Sequence, residues 1–141
     1  MSAYLESHRD EYYDRLLDVS REDDWTGWCE FFLRALIAQA QENQTKAQAI
    51  LSLYRERKDW VAEVTRSQYA VRALDWMFAR PIFKTSDFIE SADIPRPTAN
   101  RILREVRDQG LLREIRRASG RRAAILAFPA LLNTAEGKAA F

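Results

Sequence analysis

The chain is poor in the residues that most often build catalytic and metal-binding sites. It has one cysteine and one histidine among 141 residues. A single cysteine forms no internal disulfide and no cysteine cluster for zinc, which agrees with a reducing compartment. Cys29 lies in a helical apolar pattern, so we expect it to pack in the core. His8 has no nucleophile or second metal ligand at a diagnostic spacing, and we expect no catalytic residue and no metal site.

Glycine, proline and long apolar runs are also scarce. The four glycines are single and far apart, which excludes a glycine-rich loop for nucleotide phosphates. No apolar run reaches the length of a membrane span, and residues 1–9 are polar rather than a secretory leader. We therefore expect a cytoplasmic protein with no cofactor and no membrane partner.

Arginine, in contrast, is concentrated in one segment. Residues 96–122 hold nine arginines and three acids, a net charge of +6, whereas the whole chain has a net charge of only +1. Residues 1–66 have a net charge of −4 and residues 67–128 a net charge of +5. This asymmetry predicts two parts with different partners, of which the second binds an anion.

Apolar spacing predicts a helical segment over residues 1–66. Residues 4–19 carry one apolar stripe at helical spacing, and a second stripe runs from Trp25 to Val64 without proline. The second stripe indicates one long helix or two in close succession. Aromatic residues near its start predict an exposed apolar face that drives dimerisation. These residues are Trp25, Trp28, Phe31 and Phe32.

Residues 67–132 show shorter elements. Ser67 predicts the cap of a helix that ends before Pro81, and a short helix follows Thr85. Pro97 in a first turn predicts a helix over 97–109, closed by a left-handed Gly110. The predicted buried stripe of this helix consists of Ala99, Ile102, Leu103 and Val106.

After Gly110 the apolar spacing becomes that of β-strands. Residues 111–115 and 123–128 are strand-like, and a charged loop with one glycine joins them. Helix, short helix, helix and hairpin is the order of a winged helix-turn-helix. The predicted fold is therefore mainly α. It comprises a helical N-terminal segment with a long helix (1–66), a winged helix-turn-helix with a small β-hairpin (67–132) and a tail (133–141).

The basic residues of the 97–109 helix and the hairpin predict binding to double-stranded DNA. Asn100 and Arg101 are candidates for reading base edges, because amide and guanidinium groups make bidentate contacts to adenine and guanine. Arg104 shares their exposed face, whereas Arg96 and Thr98 fit phosphate contacts. The hairpin residues predicted to reach phosphate or the adjacent minor groove are Arg116, Arg117, Arg121 and Arg122.

Two other interpretations of the basic segment stay open. The arginines could be the solvated side of a helix and a hairpin, with Glu105 and Asp108 pairing with Arg101 and Arg104 along the helix. Alternatively, the winged helix could be a protein-interaction or dimerisation module that does not bind DNA.

Two stretches of the chain also carry a family resemblance. They are YLESHRDEYYDRLLDVSREDDWTGWCEFFLRALIAQA and RPTANRILREVRDQGLLREI. Together they resemble the C-terminal region of bacterial Fic family proteins, in which a tyrosine-rich segment, a tryptophan-containing segment and a long helix follow the catalytic core. Many such proteins end in a winged helix. The resemblance covers residues 4–132, so residues 1–66 resemble the end of a Fic domain.

One family feature is absent from this chain. Fic enzymes share the motif HxFx(D/E)GNGRxxR, whose histidine acts as a base and whose glycine-rich turn holds nucleotide phosphates during AMP transfer to a protein hydroxyl. Neither this motif nor Gly-Asn-Gly occurs here, so no catalytic residue can be assigned and no enzymatic activity is expected. The resemblance implies a transcriptional or autoregulatory DNA-binding module. The catalytic core of a parent AMP-transferase, missing here, would be a further partner.

Overall fold

The computed structural model describes residues 2–120, 122–137 and 139. These residues are mainly helical and contain a small antiparallel sheet of three strands. In chain order the elements are α1 (Ser2–Ser7), α2 (Arg9–Glu22), α3 (Trp25–Thr65), α4 (Ala70–Ala79), β1 (Ile82–Lys84), α5 (Thr85–Ser91), α6 (Arg96–Asp108), β2 (Arg113–Arg116), β3 (Ile125–Ala127) and α7 (Pro129–Glu136). The prediction of a mainly helical chain with a small hairpin is thus confirmed.

The chain divides into two compact units, residues 1–47 and 48–141. The long apolar stripe forms a single helix, α3, which contributes residues to both units. The predicted functional division between residues 66 and 67 coincides with the break after α3 and stays a prediction. Among the described helices, none combines the length and the apolar character that a bilayer crossing requires.

The first unit contains an antiparallel pair of helices preceded by α1. The predicted helix over 4–19 is interrupted at His8, whose backbone leaves the helical region (φ −118°, ψ 36°). A turn at Asp23, with φ 59°, reverses the chain after α2. Arg34 Nη2 of α3 donates to Glu11 Oε1 of α2 at 3.1 Å, and this exposed ion pair links the two antiparallel helices.

Few side chains are buried between these two helices. Phe31 is 1% exposed and Ala35 is fully buried. The predicted exposed aromatic face is therefore wrong for Phe31, which points toward α2, although Trp25 is 58% exposed. The prediction that Cys29 packs in the core is also wrong, because Cys29 is exposed. It lies two residues from Phe31, about 200° around the helix.

The second unit has a core rich in aromatic residues. The Trp76 ring of α4 meets the rings of Phe83 and Phe88 edge to face, with centroids 4.9 and 5.2 Å apart. Phe78 and Phe128 make a similar contact at 5.3 Å. The helix α6 adds its apolar stripe to this core. The buried residues of α6 are Ala99, Ile102, Leu103 and Val106, as predicted.

The sheet has the order β1-β3-β2, so the last strand in sequence lies in the centre. Ile82 pairs with Ala127 on one side of β3, and Arg113 pairs with the same residue on the other. The register of β2 shifts between Glu114 and Arg116. Strand β1 was not predicted, because three residues between a helix and Thr85 are too few to show strand alternation.

Element boundaries differ from the prediction by a few residues. Helix α4 begins at Ala70 rather than Ser67. Residues 67–69 instead form a turn in which the Ser67 hydroxyl accepts a hydrogen bond from the Tyr69 amide at 3.2 Å. The prediction that a left-handed glycine closes α6 is confirmed, since Gly110 has φ 80°.

A hydrogen bond between α3 and α4 makes the stability of the second unit depend on pH. The Tyr54 hydroxyl donates to Asp75 Oδ1 at 2.6 Å. This bond, with a smaller effect of burial, raises the pKa of Tyr54. A raised pKa in the folded state gives stabilisation that is fully present below the unfolded value of about 10 and is lost as pH rises through the folded value.

We expect Tyr54→Phe to lower the free energy of unfolding by about 1 kcal/mol at neutral pH. The difference between the two proteins should shrink at pH values above about 10. Urea denaturation followed by circular dichroism at several pH values measures both quantities. A difference that stays constant across the alkaline range would contradict the role given to the phenolic proton.

Candidate nucleic-acid interface

Helix α6 carries the side chains that the sequence predicts for DNA contact. Pro97 lies in its first turn, where the missing amide proton has no helical partner to lose. Because the apolar stripe of α6 is buried, its polar residues divide between two flanks of the helix. Asn100 and Arg104 are exposed on one flank, whereas Arg101 lies half-buried on the other.

Arg101 is committed to contacts within the protein. Its Nη1 donates to the backbone oxygen of Thr65 at 2.8 Å, where helix α3 ends. The same nitrogen lies 3.0 and 3.1 Å from the two carboxylate oxygens of Glu105. A cation at the carboxyl end of a helix also interacts favourably with the helix dipole. Arg101 therefore holds α6 against the last turn of α3.

At the beginning of α6, some of the side-chain groups that were predicted to contact DNA already make contacts within the protein. Asn100 Nδ2 donates to the backbone oxygen of Arg96 at 3.0 Å, so the side-chain amide retains its carbonyl oxygen and one proton for a ligand. Arg96 is exposed and Thr98 is half-buried.

A cleft lies between α6 and the hairpin. From α6 it is lined by Asn100, Arg104 and Arg107, and from the hairpin by Glu114 and Ala118. A second cleft is lined by Lys84 and Ser86 on one side and by Arg116, Arg122 and Ala123 on the other. The two clefts lie on opposite faces of the sheet, because successive strand residues point to opposite faces. Glu114 and Leu126, which pair with each other, line the first cleft, whereas Lys84 and Arg116, which both pair with Ile125, line the second.

The linings of the two clefts are strongly cationic. Five cations and one acid, Glu114, line them. Arg104, Arg116 and Arg122 make no ion pair with any residue in the described part of the chain. Cations without acidic partners are available to anions. We call the linings of the two clefts together the basic face; its cations are Lys84, Arg104, Arg107, Arg116 and Arg122.

The structure therefore separates the predicted DNA-contact residues into groups. Asn100 and Arg104 line the cleft beside α6, whereas Arg116 and Arg122 line the second cleft. Arg117 extends from the hairpin, with its side chain 94% exposed and its Nε 3.7 Å from Glu114. Arg121 lies outside the described residues.

Two cations of the basic face, Arg107 and Lys84, were not among the predicted residues, and neither was Ser86 beside Lys84. Arg107 lies in the arginine-rich segment, and its position three residues after Arg104 could have identified it as a candidate for DNA contact. Lys84 and Ser86 reach the face because β1 pairs with β3, and no signal in the sequence indicated that strand.

Neither a metal centre nor a known family accounts for this surface. Within residues 2–120, 122–137 and 139, no group of three or more histidine, cysteine, aspartate or glutamate side chains could hold a metal ion. No protein-family model matches the chain.

The contacts of Arg101 predict that two neighbouring arginines of α6 differ in their effect on stability. We expect Arg101→Ala to lower the free energy of unfolding by roughly 1 kcal/mol, a value reduced by the partial exposure of the side chain. Arg104→Ala serves as the matched control and should change it by less than about 0.5 kcal/mol. Urea denaturation of the two variants tests this difference, and equal losses would contradict it.

Proposed function

We propose that residues 67–132 are a winged helix-turn-helix that binds double-stranded DNA through the basic face. The observation that carries this proposal is that five cations from α6, the hairpin and β1 line the two clefts beside the hairpin, together with a single acid. A compact group of three helices, followed by a two-stranded hairpin beside the last of them, supports the winged arrangement.

In this proposal α6 is the recognition helix. A major groove admits one α-helix, and residues in the first half of that helix contact base edges. Asn100 and Arg104 are exposed on the flank that faces the cleft, and we assign them to base contacts. Arg101 was predicted as a base-reading residue; because it bonds to Thr65 and Glu105, we assign it to positioning α6.

The other cations of the basic face are assigned to the phosphate backbone. Lys84, Arg116 and Arg122 surround the Ser86 cleft, and Arg107 lines the cleft beside α6. Each phosphate that a cation neutralises releases counterions, so affinity falls with salt. Four such contacts correspond to a slope of about −4 in a plot of log Kobs against log salt concentration.

The hairpin arginines are tested by salt dependence. We expect the double variant Arg116→Ala/Arg122→Ala to reduce the steepness of that slope by about 2, because each lost phosphate contact contributes about 1. Fluorescence anisotropy with a labelled duplex across a salt series measures it. Arg55→Ala provides the matched control, since Arg55 is an exposed arginine of α3 that lines neither cleft.

Arg104 is tested by sequence preference. The probes are a duplex from the region upstream of the protein's own gene and a scrambled duplex of the same composition. We expect the chain to prefer the upstream duplex and Arg104→Ala to lose about tenfold or more of that preference, as a base contact should.

Three outcomes would count against the proposal. The absence of binding to either duplex at low salt would overturn DNA binding. Equal losses in the Arg55 control would mean that net charge, not the basic face, governs affinity. Unchanged preference in Arg104→Ala would remove its base-reading role.

We further propose that the chain is related to the C-terminal region of Fic family proteins and regulates expression of its own operon. The two stretches at residues 4–40 and 96–115 support this relation. A reading frame that extends upstream to the HxFx(D/E)GNGRxxR motif is the expected genomic finding, and the absence of that motif from the extended frame would contradict it. With labelled ATP, we expect no transfer of AMP by this chain alone.

A further inference from the structure

Glu114 is the only acidic side chain that lines either cleft of the basic face in the described part of the chain. It lies in the cleft beside α6, which therefore has two cations, Arg104 and Arg107, and one acid. The second cleft has three cations and no acid among the described residues. A surface that served only to attract phosphate would gain affinity by losing this carboxylate, because like charges repel. The charge of Glu114 therefore indicates a role other than affinity.

The contacts of Glu114 leave its negative charge largely uncompensated. Its ion-pair partner among the described residues is Arg117, whose Nε lies 3.7 Å from Glu114 Oε1. The Arg117 side chain is 94% exposed, and an ion pair in water at this distance is weak and holds neither side chain firmly. The Glu114 side chain is only 30% exposed. The carboxylate is thus held at the cleft, whereas Arg117 can turn toward solvent.

The sheet and helix α6 set the position of this carboxylate relative to Arg104. Glu114 pairs with Leu126 of β3, so both side chains lie on one face of the sheet, and both line the cleft beside α6. Arg104 lines the same cleft from α6. The cleft holds about 310 Å³, and a sphere of that volume is roughly 8 Å across, about one Debye length at physiological salt. Glu114 therefore repels an anion that binds to Arg104 in this cleft.

A duplex offers Arg104 two kinds of acceptor. A backbone phosphate carries a full negative charge, whereas the O6 and N7 atoms of guanine are uncharged acceptors. A guanidinium attracts both groups, but a carboxylate nearby repels the charged one more strongly. A like charge beside a binding site thus weakens the wrong ligand more than the right one.

We propose that Glu114 is a specificity-determining residue, which keeps phosphate away from Arg104 and leaves this arginine to the guanine edge of a base pair. The inference rests on the proposed binding of DNA by the basic face. Glu114 acts through its charge and makes no contact with DNA itself. Phosphate binds most strongly at the second cleft, where no described acid opposes it.

The test compares Glu114→Gln with the parent chain, because glutamine keeps the shape of the side chain and removes its charge. Fluorescence anisotropy with the upstream duplex and the scrambled duplex, across a salt series, measures affinity, salt slope and preference. We expect the affinity for the scrambled duplex to rise about tenfold at low salt. Its slope should steepen by about 1, since Arg104 then binds a phosphate. The affinity for the upstream duplex should change less, so the preference falls several-fold.

Three control variants separate the position of the charge from net charge and from side-chain shape. Glu90→Gln removes the same charge from an exposed residue of α5 that lines neither cleft, and it should change both affinities slightly and equally. Glu114→Asp keeps the carboxylate and should keep most of the parent's preference. Glu114→Ala is a second variant without the charge and should behave like Glu114→Gln. Circular dichroism checks that each variant keeps its helical signal.

A double variant tests whether Glu114 acts through Arg104. In an Arg104→Ala background, Glu114→Gln should no longer steepen the salt slope on the scrambled duplex, because the arginine that would bind the additional phosphate is missing. Effects of the two substitutions that simply add would contradict the coupling.

The outcomes distinguish failure of this inference from failure of the proposed function. If the parent chain binds neither duplex at low salt, DNA binding is wrong and the inference falls with it. If the parent chain binds and prefers the upstream duplex, but Glu114→Gln behaves like Glu90→Gln, DNA binding stands and the role of Glu114 is overturned. An equal gain on both duplexes, or a gain that persists in Arg104→Ala, overturns that role as well.

Discussion

Burial of one side of α6 is the constraint on which the candidate site depends. Ala99 and Ile102 are fully buried, and Leu103 and Val106 extend the same stripe. Once this stripe is inside, helical periodicity leaves Asn100 and Arg104 outside and places Arg101 beside the end of α3. The positions of the polar groups thus follow from the apolar ones, and no polar interaction is needed to direct Arg104 outward.

The two flanks of α6 illustrate how one residue type takes two roles. Arg101 satisfies a backbone oxygen at a helix end and pairs with Glu105, so its charge is largely compensated within the protein. Arg104, one helical turn away in sequence, has no such partner among the described residues. Local partners, rather than residue type or spacing, decide which arginine is available to a ligand.

Much of the fold could be predicted from the sequence. The apolar stripe of α6, the unbroken stripe of α3 and the turn at Gly110 are local features, and the structure has all of them. What could not be predicted depends on distant contacts. Strand β1 exists because β3 pairs with it, and Lys84 reaches the basic face only through that pairing. Exposure of Cys29 likewise depends on which side of α3 faces α2. For the same reason, spacing placed Arg101 among the ligand contacts, although its partner Thr65 lies 36 residues away.

The position of β3 has a consequence for the order in which the chain acquires structure. β3 is the last strand in sequence and the central strand of the sheet, and both other strands pair only with it. During synthesis, the hydrogen bonds of α4, α5 and α6 can begin to form as these segments leave the ribosome, because helical hydrogen bonds join residues that are four apart in sequence. The sheet cannot form until residues 125–127 have emerged. A nascent chain that stalls before Ile125 therefore contains the segment of α6 but lacks the paired hairpin beside it.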